Sequence, residues 1–259
     1  MKVMTYNIRH GLGGDLRVDL ERIACVIEGE NPDLVGLNEV DVCFHKRSGY
    51  ENQLSRLAER LGMEAVFGPA IEKPAREGAA GYGNGLLLKG EVCDFRNIRF
   101  TQRGEEPRSL LVADVIPAGS PSKIRMLVTH MGLTPWMRRQ QGTILLEQLE
   151  ETDLPAVAAG DWNVTPGRSA VTRLAPALRD VLAVCEIDSA TFPCRFPRIR
   201  LDYIFCTSHF RPVKAAVVAT PGCPSDHLPV VCELEWTDPK GRPPVNPPVI
   251  RYNKKDRDS

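Results

Sequence analysis

S-D-H-L-P-V, residues 225–230, sets an acid and a histidine side by side at the mouth of a last apolar run, VVCELEW. Alone the hexapeptide reads as a turn, since Ser and Asp form turns and Pro229 punctuates one. The same juxtaposition recurs along the chain. Short runs rich in Val, Ile and Leu, each strand-length and bounded by Gly, Pro, Asn or Asp, are KVMTYNI, DLVGLNEV, NGLLLK, SLLVADVI, IRMLVTH, AVAAGDWN, LDYIFC and LPVVCELEW. Polar residues fall at their ends. Asn7 ends KVMTYN, Glu39 ends DLVGLNE, His130 ends IRMLVTH, and Asp161 and Asn163 follow AVAAG. Asp202 sits within RLDYIF, while Asp226 and His227 precede the last strand. Strand ends in α/β architectures converge on one rim, where ligands bind. A lone strand-end Asn or Asp is ordinarily a turn former, but a whole series of them is hard to assign to turns together.

Helical patterns interleave with these strands. In ENQLSRLAERLG, Leu54, Leu57, Ala58 and Leu61 fall at i, i+3, i+4 and i+7, and Gly62 stands as a C-terminal stop. DLERIACVIEGENP repeats the spacing with Leu20, Ile23, Ala24 and Ile27, and a third helix is predicted from near Trp136. Strands outnumber helices and several follow in succession between residues 84 and 129. That mixture fits two packed sheets flanked by helices better than one doubly wound sheet. One folded domain is expected over residues 1–236. Residues 237–259 are polar, proline-rich and charged, and are expected to form a disordered tail.

Composition narrows the function. The 33 basic and 33 acidic residues cancel to +0, so no global field draws the chain onto nucleic acid or an anionic membrane. The 8 cysteines are scattered without a C-x-x-C pair, and several lie in apolar runs, so they are expected to be reduced, buried thiols in a cytoplasmic protein. No apolar stretch reaches the roughly 20 residues a membrane span needs.

The residue types suggest a chemistry. Glu39 and Asp226 offer hard oxygen ligands suited to Mg²⁺ or Mn²⁺, and the missing cysteine and paired-histidine spacings speak against zinc. Two histidines beside acids can exchange protons and hydrogen-bond phosphate oxygens near neutral pH. Asp161 and Asn163 supply an acceptor and a donor two residues apart, fit to hold a water and a developing oxyanion. The set describes metal-assisted attack of water on phosphorus.

The ordered motifs TYNIRHG, LNEVD, GNGLLLK, THMG, GDWN, LDYIF and SDHLPV resemble the endonuclease/exonuclease/phosphatase superfamily, the fold of deoxyribonuclease I, with the look of a small bacterial member. They run from residue 5 to 230. The resemblance implies a four-layer α/β/β/α sandwich of two mainly antiparallel or mixed sheets, with the site on one rim. It implies that Asn7, Glu39 and Asp226 surround the metal, and that Asp161 positions or activates the attacking water. It gives Asn163 a hold on the phosphate, His227 a phosphate-contacting or proton-transferring role, Asp202 the orientation of that ring, and His130 the place of a second histidine. Asn84 and Arg108 match substrate-side positions. Abasic-site endonucleases carry the form LQETK around the metal glutamate; here Asn38 replaces the glutamine and Asp41 stands where the lysine would be, which weighs against DNA repair.

The expectation is a monomeric Mg²⁺- or Mn²⁺-dependent phosphodiesterase acting on a phosphorylated small molecule, lipid headgroup or nucleotide. A DNA or RNA nuclease is the alternative and a non-catalytic binding module the second. The nuclease reading requires WMRRQQ and RFPRIR to form one basic groove. His10, His45 and His209 are read as structural or surface residues, and GLGG at 11–14 lacks the ending of a phosphate loop.

Overall fold

The strand KVMTYN alternates as a half-polar run should. Val3 is buried in one cluster that draws on both sheets, while Met4 and Tyr6 join another cluster with the first two helices. Asn7, two pleats beyond Val3 and Thr5, is therefore the last residue on the face turned toward the other sheet.

The computed structural model describes residues 1–74 and 79–237, so the proline-rich tail expected at 237–259 lies, from residue 238, outside the described residues. The elements in chain order are β1 (Lys2–Asn7), α1 (Leu20–Glu30), β2 (Leu34–Val42), α2 (Gln53–Leu61), β3 (Glu64–Pro74), β4 (Ala79–Leu88), β5 (Gly90–Phe100), β6 (Arg108–Pro117), β7 (Ile124–His130), α3 (Pro135–Glu150), β8 (Ala156–Asp161), α4 (Ser169–Thr172), β9 (Arg179–Asp180), α5 (Val181–Val184), β10 (Asp202–Cys206), β11 (Phe210–Val217) and β12 (Val230–Trp236). They form two six-stranded sheets, ordered β11-β12-β1-β2-β4-β3 and β5-β6-β7-β8-β10-β9. Both are mixed: β1 runs parallel to β2 and β7 parallel to β8, and the other pairs are antiparallel.

Three apolar clusters separate four layers. Val3, Leu34, Leu111, Val128, Val157, Ile204 and Val230 join the two sheets. Ile23, Ile27, Leu54 and Leu57 bring α1 and α2 onto the first sheet, and Leu145 brings α3 onto the second beside Leu127, Trp162 and Phe205. The sandwich expected from the motifs is the observed fold. The second helix, α2, ends at Gly62, where the sequence placed its stop. Asp19, Asn52 and Thr134 cap the N-termini with side-chain oxygens, and Gly62 closes α2 in the left-handed region.

β3, β5, β9 and β11 were not anticipated, and they are the four edge strands. An edge strand has one neighbour and one wet flank, so it carries no continuous apolar run. β5 is mostly exposed or half-exposed, and β11 has Pro212 at a register shift. All 8 cysteines are free; Cys194, Cys206 and Cys232 are buried, but Cys25 and Cys93 are exposed, which corrects the expectation of uniformly buried thiols. No helix among the described residues is long and apolar enough to cross a membrane.

Candidate active site

The register of the ladders assembles the rim. In the first sheet Asn7 is paired with Asn38; in the second, His130 is paired with Asp161, and Asp161 with Asp202. Each continues the inward-facing alternation of its strand past the last apolar residue: Val128 then His130, Ala159 then Asp161, Ile204 back to Asp202. Asp202 opens its strand rather than ending it. It reaches the same rim because β10 runs antiparallel to β8.

One oxygen is the hub. Asp161 Oδ2 accepts from Asn7 Nδ2 at 3.0 Å and faces His130 Nε2 at 3.4 Å and His227 Nε2 at 3.7 Å. Its partner Oδ1 accepts the backbone N–H of Asn163 at 2.9 Å, an Asx turn that holds Asn163 at a left-handed φ of 49°. Asn7 also donates from Nδ2 to Glu39 Oε1 at 3.0 Å, while its Oδ1 accepts from Arg9 N at 3.1 Å. Both ends of this amide are therefore fixed, and its N–H group faces the two carboxylates.

Glu39 stands at a β-bulge, where the β2–β4 register shifts between Leu37 and Val40, and its φ is 60°. A non-glycine residue in that region costs of order 1–3 kcal/mol and persists where the surroundings over-determine it. The bulge turns this half-buried carboxylate onto the rim, with the phenol of Tyr82 beside it. Burial, then the Glu39 charge, push the Tyr82 pKa up.

The electrostatics divide the two histidines. Burial opposes an imidazolium at His227, but Asp202, whose Oδ2 lies 2.8 Å from Nδ1, outweighs it together with Asp161 and Asp226 and pushes the pKa up to about 10. His227 is thus a cation at neutral pH, with a proton on each nitrogen. His130 goes the other way. Burial, reinforced by the positive charge of Arg108 and then of His227, holds it well below the usual imidazole range, so it is neutral. Burial and then the Asp202 charge push the Asp161 carboxyl up, against the pull of His227 and the donors Asn163 and Asn7. A carboxylate raised in this way is a better proton acceptor than an ordinary aspartate.

Asp226 lies at the first sheet's side of the rim, with Arg9 Nε 3.4 Å away. Ser225 Oγ, 3.4 Å from Asp226 Oδ1, donates to Asn7 O at 2.7 Å and so joins the two loops. Asn84 lies beneath the rim rather than on it. At 1% exposure its Nδ2 donates to Ser109 O and Oγ, and its Oδ1 accepts from Asn38. No amide group of Asn84 is left for a substrate. Arg108 is buried beside His130, pairs with Glu106, and keeps an unpartnered Nε.

Sequence reasoning overlooked the floor. Asn38 Oδ1 accepts the Asp161 N–H at 2.8 Å, and its Nδ2 donates to Asn84 Oδ1 at 2.7 Å and Thr129 O at 2.9 Å. It was noted only as a departure from LQETK, yet its place on the inward face of β2, opposite Asn7, was legible. Asp41, the other departure, binds Arg47 and Ser48 with no exposure of its side chain. Thr191 Oγ1 holds the N–H of Asp202, and nothing in its sequence setting marked it.

The two basic segments of the nuclease reading and the remaining histidines are placed as well. Arg200 of RFPRIR is buried against Asp180 and over the Tyr203 ring, and Arg195 lies over Phe196. In WMRRQQ, Arg138 Nη1 donates to the carbonyls of Gly132, Leu133 and Asn163, while Gln141 holds Gly132 N and His130 O. His45 caps a short turn and His209 contacts Thr207. His10, 8% exposed, accepts on its carbonyl oxygen from Gln53 Nε2.

Oxygen-rich strand ends converging between two mixed sheets define a protein of the deoxyribonuclease I-like class. The family model described as Endonuclease/Exonuclease/phosphatase family matches residues 4–227, and the chain belongs to that family. At the level of the family, this makes it a phosphoesterase-type hydrolase. YbhP of Escherichia coli (strain K12) is 24% identical over 90% of this chain and 95% of its own length. Among solved structures, an endonuclease/exonuclease/phosphatase from Beutenbergia cavernae superposes with a TM-score of 0.76 at 26% identity, covering 91% of this chain and 71% of that one. The human Nocturnin catalytic domain, solved with a bound sulfate anion, gives 0.72 at 24% identity, covering 92% and 93%. A mannosyl-6-phosphatase from Bacteroides thetaiotaomicron shares the fold at 0.74 and 19% identity, covering 91% and 100%.

Proposed function

We propose that the chain is a divalent-metal-dependent hydrolase of a phosphoester, in the first place the phosphodiester of a small molecule or lipid headgroup, with water as nucleophile. The observation that carries this reading is the convergence of Asn7, His130 and His227 on one oxygen of Asp161.

The donor set fits a hard cation. Asp161, Asp202 and His227 bring their donor atoms within 4.8 Å of one another, the one group of three such residues found among those described. Asp202 and His227 are engaged with each other, however, so this trio fits a hydrogen-bonded relay better than a cage. The carboxylate turned to the open rim is Glu39, with Asp226 on the adjoining loop; Mg²⁺ or Mn²⁺ is commonly held by one or two carboxylates plus water and phosphate. Asn7 supports that site by fixing Glu39 through its N–H group. A cation bound there supplies positive charge to the phosphoryl and leaving oxygens as they become more negative.

The remaining work falls to the chain's own side chains. Asp161 holds the attacking water and takes its proton as oxygen bonds to phosphorus, which its raised pKa favours; the bond from phosphorus to the alcohol oxygen breaks on the opposite side, and the departing oxygen takes up a proton from solvent. His227 donates from Nε2 to a phosphoryl oxygen, and Asp202 keeps the ring charged and aimed. Neutral His130 flanks the same oxygen of Asp161 and donates without adding charge. Asn163 is held in its turn by Asp161, and its Nδ2 donates to Met131 O at 2.9 Å, which leaves the second N–H of that amide for a phosphoryl oxygen.

Relatives bearing the names of a phosphatase and of Nocturnin support phosphoester chemistry without choosing the alcohol. The test is a substrate panel: an aryl phosphodiester, its monoester, phospholipids, and single- and double-stranded DNA, each with Mg²⁺ or Mn²⁺ and with excess chelator. Turnover of the diester that chelation abolishes is expected. Turnover untouched by chelator overturns the metal-dependent reading, and preference for DNA overturns the small-molecule one.

A further inference from the structure

A cavity of about 900 Å³ opens directly beside the rim, and Asn163 belongs to both. Arg138, Arg139, Arg168 and Arg173 line it, Ile199 and Leu201 supply an apolar wall, and no carboxylate does. In a chain whose formal charge is +0, four guanidinium groups around one hollow are a local excess that composition does not require. Arg138 is engaged with three carbonyls, including that of Asn163. Arg139, Arg168 and Arg173 are exposed, and none of their guanidinium groups has an ion pair or hydrogen bond among the described residues. Most other arginines around the fold are paired with acids, among them Arg22, Arg47, Arg60, Arg99, Arg125 and Arg211.

We propose that this cavity is a second-anion subsite: the substrate carries, besides the phosphoester at the Asp161 rim, a further phosphate or comparable oxyanion held by Arg139, Arg168 and Arg173. Planar guanidinium forks match phosphate oxygens bidentately, and Arg138 ties the subsite to the rim by bonding the backbone of Asn163. The size favours a small ligand, because pockets of roughly 300–1,000 Å³ suit molecules of drug size. A nucleic-acid track would need RFPRIR to lend its cations. Arg200 is instead buried on Asp180, the exposed Arg195 and Arg198 do not line the cavity, and the segment contributes Ile199 to its wall. The inference rests on the phosphoester reading of the rim for what is bound there.

Titration calorimetry of the full chain tests it without turnover. The probes are ethane-, butane- and hexanediol bisphosphates, each against its monophosphate, in about 150 mM salt, where the Debye length is about 8 Å and only close contacts survive. At least one bisphosphate should bind tighter than its monophosphate by about tenfold or more, the equivalent of one charge-assisted contact. R139Q/R168Q/R173Q should bring that ratio to about one while R17Q, an exposed site outside the cavity, should leave it unchanged. A wild-type ratio near one, or a ratio unaltered in the triple variant, overturns the subsite. Should the triple variant fail to fold, the three single variants are read instead, and no fall in any of them overturns it equally. A thymidine pentanucleotide, titrated alongside, is expected to bind no tighter than the best bisphosphate; tighter binding replaces the small ligand with a strand. A chain that prefers bisphosphates yet hydrolyses nothing would contradict the hydrolase reading alone.

Discussion

Asp202 Oδ2 lies 2.8 Å from Nδ1 of His227, both side chains buried, with the other ring nitrogen directed at Asp161. The pair fixes the tautomer and the charge of the imidazole at once. Asp202→Asn keeps the shape and removes the charge, so it should lower kcat on the order of 10²–10⁴-fold, the usual worth of a positioned acid or base, with KM less affected. His227→Ala should cost as much as the double variant, because residues acting as one unit are strongly non-additive. A double-mutant cycle reads this directly; independent, additive losses would show two separate roles.

The same pair fixes a dependence on pH. The folded pKa of His227 is raised to about 10 from an ordinary 6.5, so the folded state binds the extra proton between those values. Its contribution to stability is fully present below pH 6.5 and is lost as pH rises through about 10. Urea unfolding of the wild type at stepwise pH should show this alkaline loss. In Asp202→Asn the loss should begin at lower pH, and identical profiles for the two proteins would refute the coupling.

Glu39→Gln removes a charge and little volume from a half-buried strained position. Divalent affinity, followed by calorimetry, should fall by at least about 10–100-fold, which is what losing even an outer partner of a metal ligand costs. Unfolding free energy should move by no more than about 0.5 kcal/mol, the range of ordinary surface changes. A large stability loss with metal binding intact would assign Glu39 to the scaffold.

Gly160 precedes the hub residue with φ 149°, and a Cβ there would sit 1.8 Å from Thr129 O. The clash is with backbone of the neighbouring strand, which cannot step aside. Gly160→Ala should therefore destabilise by more than about 4 kcal/mol, the tail reserved for strain and steric conflict. Thermal melting checks it, and a Tm near the wild type would show that β7 and β8 can part at this point.

Much of the rim was legible because a strand's period of two carries information past its apolar end. Val3 predicts the direction of Asn7, and Val128 that of His130. The interior strands were equally plain, since burial on both faces leaves a continuous apolar run. What could not be read was set by pairing between distant segments. The edge strands β3, β5, β9 and β11 exist because a neighbour offers them a ladder, and Asn38 became the floor only when β2 met β1 and the sheets closed over Thr129. The arginine cavity is of the same kind. Arg168 and Arg173 carry no local signal, and they meet Arg139 only because α4 packs beside α3.

Asp161 is where the two sheets, both histidines and the amide of Asn7 meet, and its replacement isolates the chemistry from the fold. Asp161→Asn should be assayed in kcat/KM on the best substrate of the panel with Mg²⁺, beside its thermal melting. The expected outcome is a fall on the order of 10²–10⁴-fold with the folded structure retained. Activity within about tenfold of the wild type would contradict the central role given to that carboxylate.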